Sequence, residues 1–202
     1  SLSLSLSLSL SLSLSLSSQC KPCESGKFAS SEGQFGCDLC APGKFSVTGA
    51  RGISACTDCA PGYFAGRQQQ TSCDPCARGK FALNNATEAC SMCDVGRYQP
   101  ALAQSDCVDC EPGRFQREMG RTTCDDCAYS EFQILSRSSN CSSCAPGKFG
   151  DQPATRSCKT CPAGTYASRF GQLNCSLCER GKAQNMTGQV GCYLCPVGFY
   201  QP

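Results

Sequence analysis

The chain has 202 residues, a net charge of +2 at pH 7, no His, no Trp and 22 cysteines. A cysteine content of about a tenth is typical of disulfide-stabilised secreted proteins, which lack a large apolar core. Acids and bases are interspersed, which excludes a basic stripe for nucleic acid or an acidic tail, and no apolar run reaches membrane-spanning length.

Residues 1–18 alternate Ser and Leu from Ser1 to Ser17, and Ser18 follows. Alternation with a period of two predicts a β-strand whose leucines, from Leu2 to Leu16, lie on one face. Because an isolated strand leaves that face and both edges unpaired, we interpret 1–18 as an assembly segment between subunits. Natural low complexity without a role and a placeholder for unidentified residues are the alternatives.

Residues 19–202 form a tandem array of eleven units. The motif Cys-x-x-Cys occurs eleven times, contains every cysteine, and recurs after 17 residues in nine of ten steps. The remaining step is longer by an insertion around Thr48–Gly52. A fixed short period predicts a repeat protein, and units this short need cross-links because they cannot bury a core.

We number units 1–11, and positions within them, from the second cysteine of each pair as position 0. These cysteines are Cys23, Cys40, Cys59, Cys76, Cys93, Cys110, Cys127, Cys144, Cys161, Cys178 and Cys195. Position 3 is Gly in all units except unit 7, which has Ser130, and Pro often precedes it. This pattern predicts a tight turn in which Gly adopts a positive φ.

Position 5 is aromatic in every unit except unit 10, where it is Ala183. We expect the rings to stack in a column, each covering the cystine of its neighbour. A row of exposed rings that bind carbohydrate or another ligand is the alternative. Bases at position 4 and acids near the cysteine pairs predict exposed ion pairs, which contribute little stability singly.

The spacing favours disulfides between the second cysteine of one pair and the first of the next. Each such bond closes a compact loop and is worth roughly 3 kcal/mol, whereas bonds within Cys-x-x-Cys constrain far less chain. The predicted bonds are Cys23–Cys37, Cys40–Cys56, Cys59–Cys73, Cys76–Cys90, Cys93–Cys107, Cys110–Cys124, Cys127–Cys141, Cys144–Cys158, Cys161–Cys175 and Cys178–Cys192. Cys20 and Cys195 remain, either unpaired or bridging subunits.

A Cys₄ zinc ribbon is the rival interpretation of this spacing. Eleven pairs do not divide into sites of two, and the chain has no His. It also carries four Asn-x-Ser/Thr sequons, at Asn85, Asn140, Asn174 and Asn185. Sequons matter only on the secretory route, so they favour a glycosylated surface protein over a zinc protein.

The string Cys37–Phe45 resembles the ephrin-receptor-like cysteine-rich repeat and is similar to the first module of tumour-necrosis-factor-receptor cysteine-rich domains. The resemblance extends from Cys20 to Tyr200 and implies an extracellular, loop-rich disulfide repeat. Such repeats occur in receptors, adhesion proteins and filamentous coats. The strict period differs from tumour-necrosis-factor receptors, whose modules alternate in type, so cytokine binding is not implied.

We predict a small disulfide-rich repeat array: an extended rod of loop units with short β segments and little or no helix, preceded by one β-strand. We find no catalytic constellation, metal site or cofactor motif, and predict no enzyme activity. The predicted role is a structural subunit of an extracellular or cell-surface filament, appendage or coat. Its partners would be itself, as a homopolymer, and N-linked glycans, with no nucleic acid and no membrane span. The alternative is a ligand-binding or adhesive receptor-type ectodomain, with the insertion and the Ala128–Glu131 turn as contact points.

Overall fold

The computed structural model describes residues 19–47 and 55–201. The strand predicted for 1–18 and the insertion around Thr48–Gly52 both lie outside these residues. The described chain contains twenty strands of two residues each and no helix. This confirms the predicted disulfide-rich repeat array with short β segments.

The strands form ten separate antiparallel pairs, each made of two strands consecutive in the chain. In chain order they are β1 Lys27–Phe28, β2 Asp38–Leu39, β3 Lys44–Phe45, β4 Thr57–Asp58, β5 Tyr63–Phe64, β6 Asp74–Pro75, β7 Lys80–Phe81, β8 Ser91–Met92, β9 Arg97–Tyr98, β10 Val108–Asp109, β11 Arg114–Phe115, β12 Asp125–Asp126, β13 Glu131–Phe132, β14 Ser142–Ser143, β15 Lys148–Phe149, β16 Lys159–Thr160, β17 Thr165–Tyr166, β18 Ser176–Leu177, β19 Lys182–Ala183 and β20 Tyr193–Leu194.

Each hairpin begins with the turn predicted from the Gly at position 3. In unit 1, the N–H of Lys27 donates to the carbonyl of Glu24 at 3.1 Å, and Gly26 between them has a φ of 78°. A positive φ at the third residue of a four-residue turn is the type II geometry, which also accepts the Pro found at position 2 in several units. The second strand of each hairpin consists of the two residues between the cysteines of the next Cys-x-x-Cys pair.

Ten disulfides close these loops, and they follow the scheme set out above: Cys23–Cys37, Cys40–Cys56, Cys59–Cys73, Cys76–Cys90, Cys93–Cys107, Cys110–Cys124, Cys127–Cys141, Cys144–Cys158, Cys161–Cys175 and Cys178–Cys192. Their Cα–Cα distances are all 5.7–5.8 Å. Cys20 and Cys195 are free.

The core of the array is a column of cysteines. The largest fully buried side chains are the position-0 cysteines of units 2–9, from Cys40 to Cys161. Rings at position 5, such as Phe45 and Phe81, are half-buried. The position-0 cysteines are therefore more deeply buried than the rings.

Three backbone hydrogen bonds join each unit to the next. Between units 4 and 5, the N–H of Gly79 donates to the carbonyl of Gln99, that of Ala82 to Gln104, and that of Ala103 back to Cys76, at 2.8, 3.1 and 2.9 Å. The equivalent three bonds recur at every joint from units 2 and 3 to units 9 and 10. The array is thus built from one joint used repeatedly, as expected of a solenoid-like repeat.

Seven of the units also touch the unit two places further on. A Cβ added to Gly79 of unit 4 would lie 1.9 Å from the carbonyl oxygen of Gly120 in unit 6. The same conflict, at 1.9–2.3 Å, arises for the position-3 glycines of units 1–6 and 8. In these seven units Gly therefore suits position 3 both for its positive φ and for the close approach of another backbone.

Candidate functional site

The outward loop of each unit, positions 6–13, carries most of the sequence variation, and in seven units a glutamine fastens it. In unit 6, Gln116 accepts a hydrogen bond from the N–H of Glu118 and donates to the carbonyl of Thr123, at 3.0 and 2.8 Å. Gln116 is only 4% exposed, so its amide replaces water for both backbone groups. Glutamines at position 6 make the same two bonds in four units: Gln99, Gln116, Gln133 and Gln184.

In three other units the glutamine that bonds the loop backbone lies at position 11 instead of position 6. In unit 3 position 6 is the buried Ala65, and Gln70 at position 11 accepts the hydrogen bond from the N–H of Arg67, at 3.1 Å. Gln34 and Gln172 do the same in units 1 and 9. In these seven units the N–H at position 8 is therefore satisfied by a glutamine at either position 6 or position 11. Sequence reasoning missed these alternative glutamines, which can be recognised in the sequence only once the position-8 N–H is known to be their partner.

Position 10 is the second feature that sequence reasoning missed. Its φ is positive in every described unit, although five of these residues have side chains: Gln69, Ala86, Ala103, Arg137 and Ala154, with φ of 54–61°. Left-handed backbone is costly for residues other than Gly. It persists here because the N–H of position 10 bonds the preceding unit and its carbonyl oxygen lies against the Gly two units back. Tertiary contacts thus override the local preference.

Unit 7 keeps the regular backbone despite its different residue at position 3. Ser130 has a φ of 63°, and the N–H of Glu131 donates to Ala128 as in other units, at 3.1 Å. The two positions that face Ser130 from the next two units are Gly150 and Gly171. A Cβ at Gly150 would lie 2.9 Å from the Ser130 Cα, so the added side chain is accommodated beside glycines.

Recesses open on the surface where one unit meets the next. Three of them share the same lining: the position-5 ring of one unit, with the position-4 Lys and the second cysteine of the disulfide from the next unit. They hold about 290, 200 and 320 Å³. The three sets of shared residues are Phe28, Lys44 and Cys56; Tyr166, Lys182 and Cys192; and Phe132, Lys148 and Cys158. At these three joints a position-5 ring and a cystine of the next unit line the same recess.

Ion pairs run along the hairpins. Lys44 pairs with Asp58 at 2.9 Å, and Arg114 with Asp126 at 2.8 Å, in each case across a strand pair. Arg97 bonds both Asp106 and Asp109, at 3.0 and 2.7 Å. The hydrogen bond from Arg97 lowers the pKa of Asp106, and the same bond raises the pKa of Arg97. Most of these side chains are largely solvated, so each pair contributes little to stability.

All four sequon asparagines are exposed: Asn85, Asn140, Asn174 and Asn185. They lie on the outward loops, at positions 9, 13, 13 and 7 of their units. Cys20 is exposed and Cys195 is half-buried. Over residues 19–47 and 55–201, no cluster of three or more acidic, His or Cys side chains is arranged to hold a metal ion. Within the same ranges no helix is long and apolar enough to cross a membrane.

Comparison with known proteins connects part of the array to a receptor-like family. Residues 79–121 match the model of the family described as tyrosine-protein kinase ephrin type A/B receptor-like. The matched segment runs from the turn of unit 4 to the loop of unit 6. No curated protein sequence matches the chain significantly. The match and the ten regular disulfides identify a cysteine-rich repeat protein of the extracellular or secreted type.

Proposed function

We propose that this chain is a structural subunit of an extracellular, glycosylated filament, appendage or coat, in which the disulfide array serves as a stiff rod. The observation that carries the proposal is the uniform joint between units. The same three backbone hydrogen bonds recur from unit 2 to unit 10, and the carbonyl of position 10 lies against the unit two places back. Bending such an array separates backbone groups that have no other partner, so the joint resists it.

The proposed rod has no catalytic role. Its described surface offers hairpins, ion pairs and loops fastened by glutamines, and the chain has no His to act as a base. The four exposed asparagines support a glycosylated exterior, with Asn85 and Asn185 as the better acceptors because Cys141 and Cys175 occupy the middle of the other two sequons. Mass spectrometry of native material tests this directly, and bare Asn85 and Asn185 would contradict it.

Assembly into a polymer is the second part of the proposal. Residues 1–18 supply eight leucines at alternate positions, and burying each would contribute about 1.5–3 kcal/mol. Identical head-to-tail contacts that do not close a ring grow into a fibre. Electron microscopy of native material should show filaments of uniform width. Deletion of 1–18 should leave monomeric rods under light scattering, whereas continued polymerisation would place the interface in the repeats.

A receptor-type ectodomain is the second candidate, and the match of residues 79–121 to an ephrin-receptor-like family favours it. The Ala128–Glu131 turn remains a contact point in this candidate, and the insertion is the other. A full-length chain that stays monomeric at high concentration would favour the ectodomain over the filament subunit.

A further inference from the structure

The recess between units 7 and 8 differs from the other two recesses of the same kind in its charge. In the recess of units 1 and 2, Lys44 is paired with Asp58 at 2.9 Å. In that of units 9 and 10, Lys182 is paired with Glu179 at 2.8 Å, and Glu179 itself lines the recess. Those two lysines are therefore neutralised from within the array.

The recess of units 7 and 8 contains two cations without an acid. Lys148 faces Thr160 across its strand pair, where Lys44 faces Asp58. Arg156 lines the same recess, and among the described residues neither Lys148 nor Arg156 makes an ion pair. No lining residue within the described chain is acidic. The acidic residue Glu131 lies opposite Ser143 in its strand pair, and it is not part of the lining.

Apolar side chains make up part of the lining of this recess. Phe132 and the half-buried Cys158 lie in it with Ile134, which is 65% exposed. Leu135 follows Ile134 and is 66% exposed. Ile134 and Leu135 occupy positions 7 and 8, where no other unit places two large aliphatic residues together. Exposed apolar side chains beside a concave site are a common mark of a binding surface.

We infer that the recess between units 7 and 8 binds an extended peptide segment of another protein in which a carboxylate side chain adjoins an apolar one. The apolar side chain would enter between Phe132 and Ile134, and the carboxylate would bond Lys148 and Arg156. The volume of about 320 Å³ suits one or two side chains rather than a large ligand. Arg and Lys together favour a carboxylate, since both donate charge-assisted hydrogen bonds. This site is independent of polymerisation, so it holds whether the chain is a filament subunit or an ectodomain.

The test uses the full, disulfide-intact chain after enzymatic removal of N-glycans, because Ser142 of the Asn140 sequon lines the recess. The probe is a labelled peptide with the core Asp-Phe-Glu, measured by fluorescence anisotropy. Its matched controls carry Asn-Phe-Gln or Asp-Gly-Glu. We expect the acidic, apolar core to bind at least about fivefold more tightly than either control, and binding to weaken with salt.

Four variants locate the site. Lys148→Gln and Arg156→Gln should each weaken binding about three- to tenfold. Thr160→Asp should do so as well, because it gives Lys148 the cross-strand partner that Lys44 already has, without removing any group from the recess. Lys182→Gln, in the recess of units 9 and 10, should leave affinity unchanged. Equal melting temperatures and disulfide maps would establish that all four variants are folded.

Equal binding of the three peptides, or no response to Lys148→Gln, Arg156→Gln and Thr160→Asp, would overturn the inference. So would self-association of the chain that the same substitutions abolish, because the recess would then be a contact between two copies.

Discussion

Units 4 and 6 and units 7 and 9 make the same contact with different residues. In the first pair Gly79 faces Gly120, and a single added Cβ would lie 1.9 Å from a carbonyl oxygen. In the second pair position 3 is Ser130, and the facing residue is Gly171, whose Cβ would be 3.7 Å from the Ser130 Oγ. The backbone of unit 7 is regular nonetheless. The difference teaches that the array maintains the spacing between units, and that its regular backbone accommodates a side chain at position 3 of unit 7.

The largest expected effect comes from filling that space in a regular joint. Gly79→Ala should lower the free energy of unfolding by about 1–2 kcal/mol for the left-handed backbone and about 1–3 kcal/mol more for the forced separation of units 4 and 6. Gly120→Ala is the matched control, because Gly120 has a φ of 72° and its added Cβ would meet only the Met92 side chain, at 3.5 Å or more. It should show only the first loss. Both are measured by denaturant unfolding with the disulfides intact, and equal losses would contradict the contact between units 4 and 6.

Removing a glutamine that bonds the loop backbone should cause the next largest loss of stability. Gln116→Ala removes two hydrogen bonds to backbone groups from a side chain that is 4% exposed, and should cost about 1–2 kcal/mol. Gln70→Ala in unit 3 should cost less, because Gln70 is half-buried and one of its two bonds goes to the exposed Asp74. Denaturant unfolding of both variants measures the two losses in free energy of unfolding. A larger loss for Gln70→Ala would contradict the account of the buried amide.

The irregular joint offers a stabilising change. Ser130 has a φ of 63°, which is unfavourable for a residue with a side chain. Ser130→Gly removes this strain and should raise the free energy of unfolding by about 1–2 kcal/mol, a gain that the greater freedom of Gly in the unfolded chain partly offsets. A net increase in stability of about 0.5–1 kcal/mol should follow, seen as a higher midpoint of unfolding. Gly171→Ala should have the opposite sign, since Gly171 has a φ of 69°. Destabilisation by Ser130→Gly would mean that its side chain supports the joint.

The smallest expected effect is electrostatic. The hydrogen bond from Arg97 lowers the pKa of Asp106 in the folded chain, so Asp106 contributes stability that is present above its unfolded pKa. That contribution is lost as the pH falls through the lowered folded pKa. Because the Asp106 side chain is 58% exposed, solvent screening leaves well under about 1 kcal/mol. Thermal unfolding between pH 2 and pH 7 should show a smaller acid destabilisation for Asp106→Asn than for the parent chain, and identical profiles would contradict the pairing.

The repeating chemistry of the fold could be predicted from sequence because it is local. The turn at Gly26, the strand pairs beside each cysteine pair and the small-unit architecture all follow from spacing within a single unit. The joints could not be predicted, because they depend on residues 22 or 41 positions apart, such as Ala82 with Gln104 of unit 5 and Gly79 with Gly120 of unit 6. Ala86 and Ala103 carry no local signal for a positive φ, and only the neighbouring units impose it.

Part of the candidate site could be predicted from the sequence, and part could not. Acids opposite position-4 bases indicated ion pairs in advance, as at Lys44 and Asp58. The recess that contains Lys148 and Arg156 was not predictable, since it depends on how unit 7 lies against unit 8. Its distinctive feature, Thr160 in place of an acid, becomes meaningful only once the strand register is known.

Hydrogen exchange at position 10 tests most directly the claim that each unit is locked to its neighbours. The N–H groups of Ala86, Ala103 and Ala154 lie in outward loops, yet each donates to a cysteine carbonyl of the preceding unit at 2.9 Å. In the oxidised chain these amides should exchange at least about a hundredfold more slowly than exposed loop amides. The amide of Cys93, which donates to the Gly79 carbonyl within a hairpin, should be protected to a similar degree. Exchange at the rate of exposed loops, with Cys93 still protected, would show independent hairpins on a string and would contradict the account.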